Sequence, residues 1–292
     1  MRLGAINAVT GWLLVLPAAA LLALFTHFPV VATIIDSFYA TSRAGKPGPF
    51  VGLENYHVMV ADEVFWKSLW NNVWYSLGTI PLSIGLALVM ALWVNSAMRG
   101  RTWLRVAFFT PTILPMIAVA NIWLFFYTPQ YGLLEKFTTG LGFATHNWLG
   151  TESTALACVM VVAIWKDAGF FMIFYLAALQ SIPPSLAEAA ALEGAPRSYY
   201  LRRIVLPLLM PTTLFVLVNA VINSFRLVDH IVVMTRGGPN NATSLLLFHI
   251  YQVGFSFWDT GYAAALTLVL LAILAAAAIG QFVFLDKKVH YQ

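Results

Sequence analysis

Five mainly apolar stretches of this sequence run for more than about 20 residues without Asp, Glu, Lys or Arg, the length an α-helix needs to cross a hydrocarbon layer. They cover 3–35, 68–98, 106–134, 204–225 and 260–285. A sixth, 153–179, is interrupted only by Lys166-Asp167. Few soluble architectures tolerate this pattern, and the composition agrees: 60% of residues are hydrophobic and 10% charged, against roughly 25% charged in soluble domains. The expected fold class is therefore all-α, a polytopic membrane protein with six transmembrane helices over one domain, 1–292. Its spans are expected at about 9–35, 69–98, 106–129, 154–179, 205–226 and 261–285. One further charge-free run, 237–258, opens with GGPNNATS and carries His249 and Gln252. Its apolar part of about 14 residues is too short to span, so it reads as interfacial or re-entrant.

The first run, with Met1-Arg2 before it and PAAA inside it, has the outline of a secretory signal. Its 33 uncharged residues far exceed the usual h-region of about 7–15, which predicts a retained first helix. Orientation follows from Lys and Arg. With the N-terminus inside, the cytoplasmic segments hold Arg2, Arg99, Arg101, Arg105, Arg197, Arg202, Arg203, Lys287 and Lys288. The outer ones hold Arg43, Lys46, Lys67, Lys136, Arg226 and Arg236. The inner loops are shorter and so more densely basic, which predicts that both termini face the cytoplasm. Trp66, Trp70, Trp103, Trp148 and Trp258 near run ends fit interfacial belts. The net charge of +4 reads as this loop charge rather than as a nucleic-acid surface. The single cysteine, Cys158, excludes an intrachain disulfide.

The most polar stretch of the second half is SLAEAAALEGAPRSYYLRRIVLP, 185–207, which the orientation puts on the cytoplasmic side, within a loop at 181–207. Pro183-Pro184 ends the preceding helix. Ser185 and Glu188, three apart, form a capping-box pattern, so a short helix is expected over 186–193. Gly194 stops it, and Pro196 opens a second helix as a first-turn proline. Leu186, Ala189, Ala190 and Glu193 share a stripe, and the alanines keep the helix slim enough to sit in another protein's groove. An ordinary capped loop between spans has the same local chemistry.

EAAALEG, then nine residues, then IVLP resembles the EAA signature of ABC-importer permeases at Glu188, Ala189, Ala190, Gly194, Ile204, Leu206 and Pro207. Glu193 stands where the family usually has aspartate, and it keeps the charge. FVGLENY (50–56), LAALQSIPPSLAEAA, TRGGPNNATSLLLFHIYQVGF and the closing KKVHYQ are similar to further phrases of the maltose and glycerol-3-phosphate importer branch. The resemblance implies a type I importer permease fold whose cytoplasmic EAA coupling helix docks on an ATPase, through Ser185, Glu188, Ala189, Ala190, Glu193, Gly194 and Arg197. It also implies a second homologous permease, two ATPase subunits, an extracytoplasmic binding protein docking on the GGPNNATS side, and the inner membrane of a bacterial cell. ATP and Mg would sit on the ATPase partners, with no cofactor on this chain. In keeping with that, the one Gly-Lys pair, Gly45-Lys46, is followed by Pro47 and cannot belong to a P-loop. The scattered histidines have no metal-ligand or triad spacing, so no catalytic residue and no metal site are expected.

Lys166-Asp167 falls near mid-membrane, about 18 Å along the fourth helix from Ala155 at 1.5 Å per residue. Such residues face a cavity or a partner, and a satisfied structural pair and a pathway-lining residue are both open readings. Asn219 and Asn223, spaced i,i+4 with Phe215 on the same stripe, have the chemistry to bind sugar hydroxyls or to bond helix to helix. Packing is favoured for Asn219 and cavity lining for Asn223. Trp165 and Phe170 are either sugar-stacking surfaces or plain core or lipid-facing aromatics. An ion-coupled secondary transporter shares this outline. An integral-membrane transferase would need an acid–base or metal constellation that is not evident. The residues do not name a cargo.

Overall fold

The computed structural model describes residues 2–42, 48–96 and 100–285. Arg43, Lys46, Arg99, Lys287 and Lys288, on which part of the orientation argument rests, and the closing KKVHYQ lie outside the described residues. In chain order the helices are α1 (Arg2–Leu22), α2 (Phe28–Asp36), α3 (Glu54–Ala61), α4 (Glu63–Asn95), α5 (Arg101–Ile113), α6 (Met116–Tyr127) and α7 (Leu133–Gly140). They continue with α8 (Glu152–Ser181), α9 (Pro184–Leu192), α10 (Arg197–Tyr200), α11 (Leu206–Leu208), α12 (Met210–Arg226), α13 (Asp229–Met234), α14 (Leu246–Tyr251) and α15 (Thr260–Leu285). Single π-helical turns join α1 to α2, α10 to α11, and follow α14. Among the described residues, five helices are long and apolar enough to cross a membrane: Thr10–Asp36, Glu63–Asn95, Glu152–Ser181, Met210–Met234 and Thr260–Gln281. The pair α5–α6 makes a sixth if counted as one broken span.

The third expected span, 106–129, falls on this pair and is broken inside it. The two pieces are bent by 104°, with Leu114 extended (ψ 136°) before Pro115. Pro115 has no N–H to give the carbonyl of Pro111 four residues back, and its ring pushes Leu114 out of the helical region. Two prolines spaced i,i+4 inside an apolar run were the available signal.

The chain divides into two compact units, Met1–Asp62 with Ile250–Leu271, and Glu63–His249 with Ala272–Gln292. In the first, the FVGLENY phrase ties down the turn after α2. Tyr39 pairs antiparallel with Phe50. The Asn55 amide donates to the carbonyls of Ser37 (2.8 Å) and Tyr39 (3.0 Å), and the Tyr56 hydroxyl to Ser37 Oγ (2.9 Å). Asp259 caps α15 by accepting from the Tyr262 N–H (3.1 Å), while the Thr41 hydroxyl takes the Gly261 N–H (3.1 Å) and donates to Asp259. Two orphan donors of that helix start are thereby satisfied.

The second unit is organised by α4 against α8. Along α4 the buried residues Phe65, Ser68, Asn72, Tyr75, Thr79, Ser83, Ala87, Met90, Ala91 and Val94 trace one helical face, polar in its first half and apolar in its second. On α8 the buried set includes Ala155, Val159, Val162, Ala163, Ala168, Phe171, Met172 and Tyr175. Small residues let membrane helices approach closely where no water drives them together. Gly169 is one such case: a Cβ there would collide with the Phe108 carbonyl of α5. Gly169→Val is expected to destabilise the protein by about 1–3 kcal/mol through overpacking, read as a lowered unfolding temperature in detergent, whereas Ala168→Gly on the neighbouring buried position lowers it less.

Candidate coupling hairpin and bundle interior

The hairpin forms at the expected place with different punctuation. Pro183, not Ser185, is the N-cap of α9, and no side chain caps the helix. The expected capping box is therefore absent: Pro184 occupies the first helical position, its fixed φ starting the helix two residues earlier, and Ser185 and Glu188 stay exposed. The C-terminal end behaves as expected of glycine. Gly194 has φ +68°, its N–H bonds the Ala191 carbonyl (3.1 Å), and the Ala195 N–H bonds that of Ala190 (2.9 Å). This paired closure satisfies two otherwise orphaned carbonyls. Pro196 is the N-cap of α10 rather than its first residue.

From Arg197 the chain stays helical through the π turn Leu201–Val205 into α11. Val205 and Leu209 are buried in the core that holds Met172, Tyr175 and Leu179 of α8, with Tyr200 and Leu201 packed against it. Tyr175 also donates to Thr213 Oγ1 of α12 (3.1 Å). So α9 is fixed at both ends to the bundle while the helix itself stands in the open. Ala190 alone is buried; Ser185, Leu186, Ala189, Glu193, Gly194 and Arg197 are exposed. The predicted stripe thus splits, Ala190 turning inward and its stripe-mates outward. Leu192, which the stripe argument missed, is 90% exposed. A helix of nine residues is below the length that is stable by itself in water, and it bears an unburied leucine on its last turn.

Within the bundle, Lys166 belongs to the break in the third span. Its ammonium donates to the carbonyls of Pro111 (3.0 Å), Thr112 (3.5 Å) and Leu114 (2.5 Å). It thus closes the end of α5 that Pro115 leaves open. Asp167, next along α8, is half-buried. Trp165 meets Trp123 of α6 edge to face (centroids 5.7 Å). Phe170 packs on Phe174 (5.2 Å), and Phe174 on Phe215 of α12 (5.0 Å). The six pathway candidates are therefore spread over α8 and α12. Trp165 and Lys166 turn to α5–α6, while Phe170 joins, through Phe174 and Phe215, the wall that carries Asn219. Asn219 bonds the Phe215 carbonyl of its own helix (2.8 Å). Asn223 is half-buried on the same helix.

A polar seam on α4 escaped the sequence reading. Ser68, Asn72, Tyr75 and Thr79 are buried, and the Tyr75 hydroxyl meets His230 Nε2 of α13 (3.0 Å). Polar residues recurring at i, i+4, i+7 and i+11 inside an apolar run were its signal. Among the described residues no group of three or more His, Cys, Asp or Glu could hold a metal ion.

Comparison with known proteins converges on one group. Residues 83–290 match the family model described as binding-protein-dependent transport system inner membrane component. The chain is 35% identical over 262 residues to the sulfoquinovosyl glycerol transport system permease protein SmoG of Agrobacterium fabrum, covering 89% of this chain and 85% of that protein. It is 34% identical over 286 residues to the sn-glycerol-3-phosphate transport system permease protein UgpA of the same organism, covering 98% and 97%. It is 34% identical over 276 residues to the trehalose/maltose transport system permease protein MalF of Thermococcus litoralis, covering 94% and 92%. In fold it resembles a chain of a bacterial alginate ABC transporter crystallised with an alginate pentasaccharide-bound periplasmic protein, with TM-score 0.86 at 20% identity over 96% of this chain and 95% of that one. A second alginate-importer structure gives 0.87 at 21% over 98% and 99%. The expected fold class is thereby met, and the chain belongs to the family of binding-protein-dependent transport system inner membrane components.

Proposed function

We propose that this chain forms half of the transmembrane pathway of an ATP-driven importer for a polyhydroxylated solute of the sugar, polyol or glycerophosphate type. The observation that carries the reading is near-full-length similarity, at 32–35% identity, to permease proteins of transport systems for sulfoquinovosyl glycerol, sn-glycerol-3-phosphate and trehalose/maltose. Six spans are few to enclose a polar route, so a second, homologous permease completes it. Two ATPase subunits, which hold ATP and Mg, engage α9 on the cytoplasmic side. An extracytoplasmic binding protein hands over the solute at the GGPNNATS surface, in the inner membrane of a bacterial cell with both termini inside.

The lever is short and stiff. Closure of the ATPases on nucleotide moves α9 through Ser185, Glu188, Ala189, Ala190, Glu193, Gly194 and Arg197. Because α10–α12 continue into the core through Val205 and Leu209, that motion passes to α8 and α12 as a rigid-body shift. Phe170, Asn219 and Asn223 are assigned to the solute-facing wall, hydroxyl binding falling to the carboxamides and CH stacking to the rings. Trp165, Lys166 and Asp167 support the bend beside it.

Uptake by cells expressing the full complex is expected to cease on ATP depletion and to persist under an ion-gradient uncoupler as long as ATP is maintained. The reverse pattern sinks the reading in favour of an ion-coupled transporter. An ATPase subunit should co-purify in detergent and be lost when Glu188→Lys and Gly194→Val are combined, since valine at φ +68° undoes the helix closure.

A further inference from the structure

We infer that Asn72 is a positioning residue that couples the loop bearing GGPNNATS to the fifth span, α12. The inference rests on the importer reading above. Asn72 lies on α4 and is fully buried. Its carboxamide oxygen accepts the Leu246 N–H (3.2 Å), and its amide donates to the Ser224 carbonyl (3.2 Å). Both partners are helix ends. Leu246 is the first residue of α14, so its N–H has no acceptor within the helix. Ser224 lies in the last turn of α12, which ends at Arg226, so its carbonyl has no donor four residues on. One side chain closes the start of α14 and the end of α12 at once. Of the uncharged side chains of this length, only a carboxamide has the donor and the acceptor to do both.

The neighbours of Asn72 reinforce the loop side. The Asn71 amide donates to the carbonyls of Asn241 (2.9 Å) and Ser244 (3.0 Å). Ser68 Oγ meets Ser244 Oγ (2.9 Å), and the Lys67 ammonium reaches the Asn240 carbonyl (2.5 Å). On the α12 side, Ser76 Oγ donates to Ser224 Oγ (2.9 Å). Two consecutive turns of α4 thus grip the loop over 240–246, and Asn72 with Ser76 grips α12. The bonds of Asn72 leave little slack: a shift of about 0.4 Å in either partner takes a 3.2 Å contact outside hydrogen-bonding range. A binding protein pressing on the loop therefore moves α4 and α12 with it, and the same linkage carries the state of α12, which is continuous with the coupling hairpin, back to the docking surface.

The test uses the whole complex in nanodiscs with its cognate binding protein, supplied in turn with sn-glycerol-3-phosphate, maltose and sulfoquinovosyl glycerol. ATP hydrolysis is measured with and without the binding protein, together with the affinity of the binding protein for the complex. For Asn72→Leu, basal hydrolysis and binding-protein affinity stay within about twofold, while stimulation falls at least about threefold, in the range single residues produce in coupled systems. Amide exchange at Leu246 speeds up in the same variant, which reports the lost cap without any solute. If Asn72→Leu does not accumulate, Asn71→Ala removes only the two loop carbonyl contacts and is expected to reduce stimulation in the same direction. Full stimulation in every variant that accumulates, with wild-type stimulation present, overturns the coupling role and leaves the importer reading intact. Wild-type complex that no loaded binding protein stimulates overturns the importer reading, and this inference with it.

Discussion

Leu192→Asp is expected to strip the ATPase from the complex and to lower ATP-driven uptake at least about tenfold, with the permease itself folded and present at its normal level. The leucine is 90% exposed on the last turn of α9, so the change touches nothing inside the chain, and surface substitutions of that kind shift stability by only about ±0.5 kcal/mol. On the proposed reading, in which α9 docks on an ATPase, its worth lies in that contact. Full burial of a leucine side chain against a partner contributes about 1.5–3 kcal/mol, and an aspartate buried in its place adds a desolvation cost. Together these weaken association by about tenfold or more, since each 1.4 kcal/mol is a factor of ten. Leu192→Met keeps volume and apolarity and should retain both the ATPase and uptake. Pull-down from detergent with uptake in parallel checks the pair of variants. An ATPase retained by Leu192→Asp would mean that α9 is not the docking element, whatever else the hairpin does.

Lys166→Met is expected to destabilise the protein by about 2–4 kcal/mol, because it leaves the Pro111 and Leu114 carbonyls buried without donors at about 1–3 kcal/mol each. In a hydrocarbon region water is scarce as a replacement donor for such carbonyls. Lys166→Arg keeps a cation with several N–H donors and should recover much of the loss. Chemical or thermal unfolding of the purified permease reads the difference directly. If Lys166→Met unfolds like the wild type and uptake alone collapses, the lysine acts on the solute and not on the bend. Transport is expected to fall together with stability, since α6 turns through 104° at this point and the Lys166 ammonium bonds the carbonyls on which the turn ends.

Lys166 illustrates where sequence reasoning stops. Its depth in an apolar span marked it as consequential, and two readings were open. The structure adds a partner that neither reading named, the carbonyl of Pro111, left open because Pro115, 51 positions before Lys166, has no N–H to give it. The proline was visible, and so was the lysine; their meeting was not. Ser185 and Glu188 teach the converse lesson. Their spacing matches a capping box, yet the rigid φ of Pro184 starts the helix ahead of them and leaves both free for a partner. Asn72 was hidden for another reason. A buried carboxamide looks like any polar interruption until the two helix ends that it closes, one in α12 and one in α14, are seen beside it.

Membrane insertion, the helical class, the number of apolar runs and the glycine-closed hairpin with its family signature were all written in the chain. Each depends on local chemistry: runs of about 20 apolar residues, a proline that cannot continue a helix, a glycine tolerant of positive φ. Folding in three dimensions decided which polar groups answer one another. A buried hydrogen bond is satisfied by whatever lies within about 3 Å, and that neighbour is chosen by how helices pack, not by how far apart two residues stand along the chain.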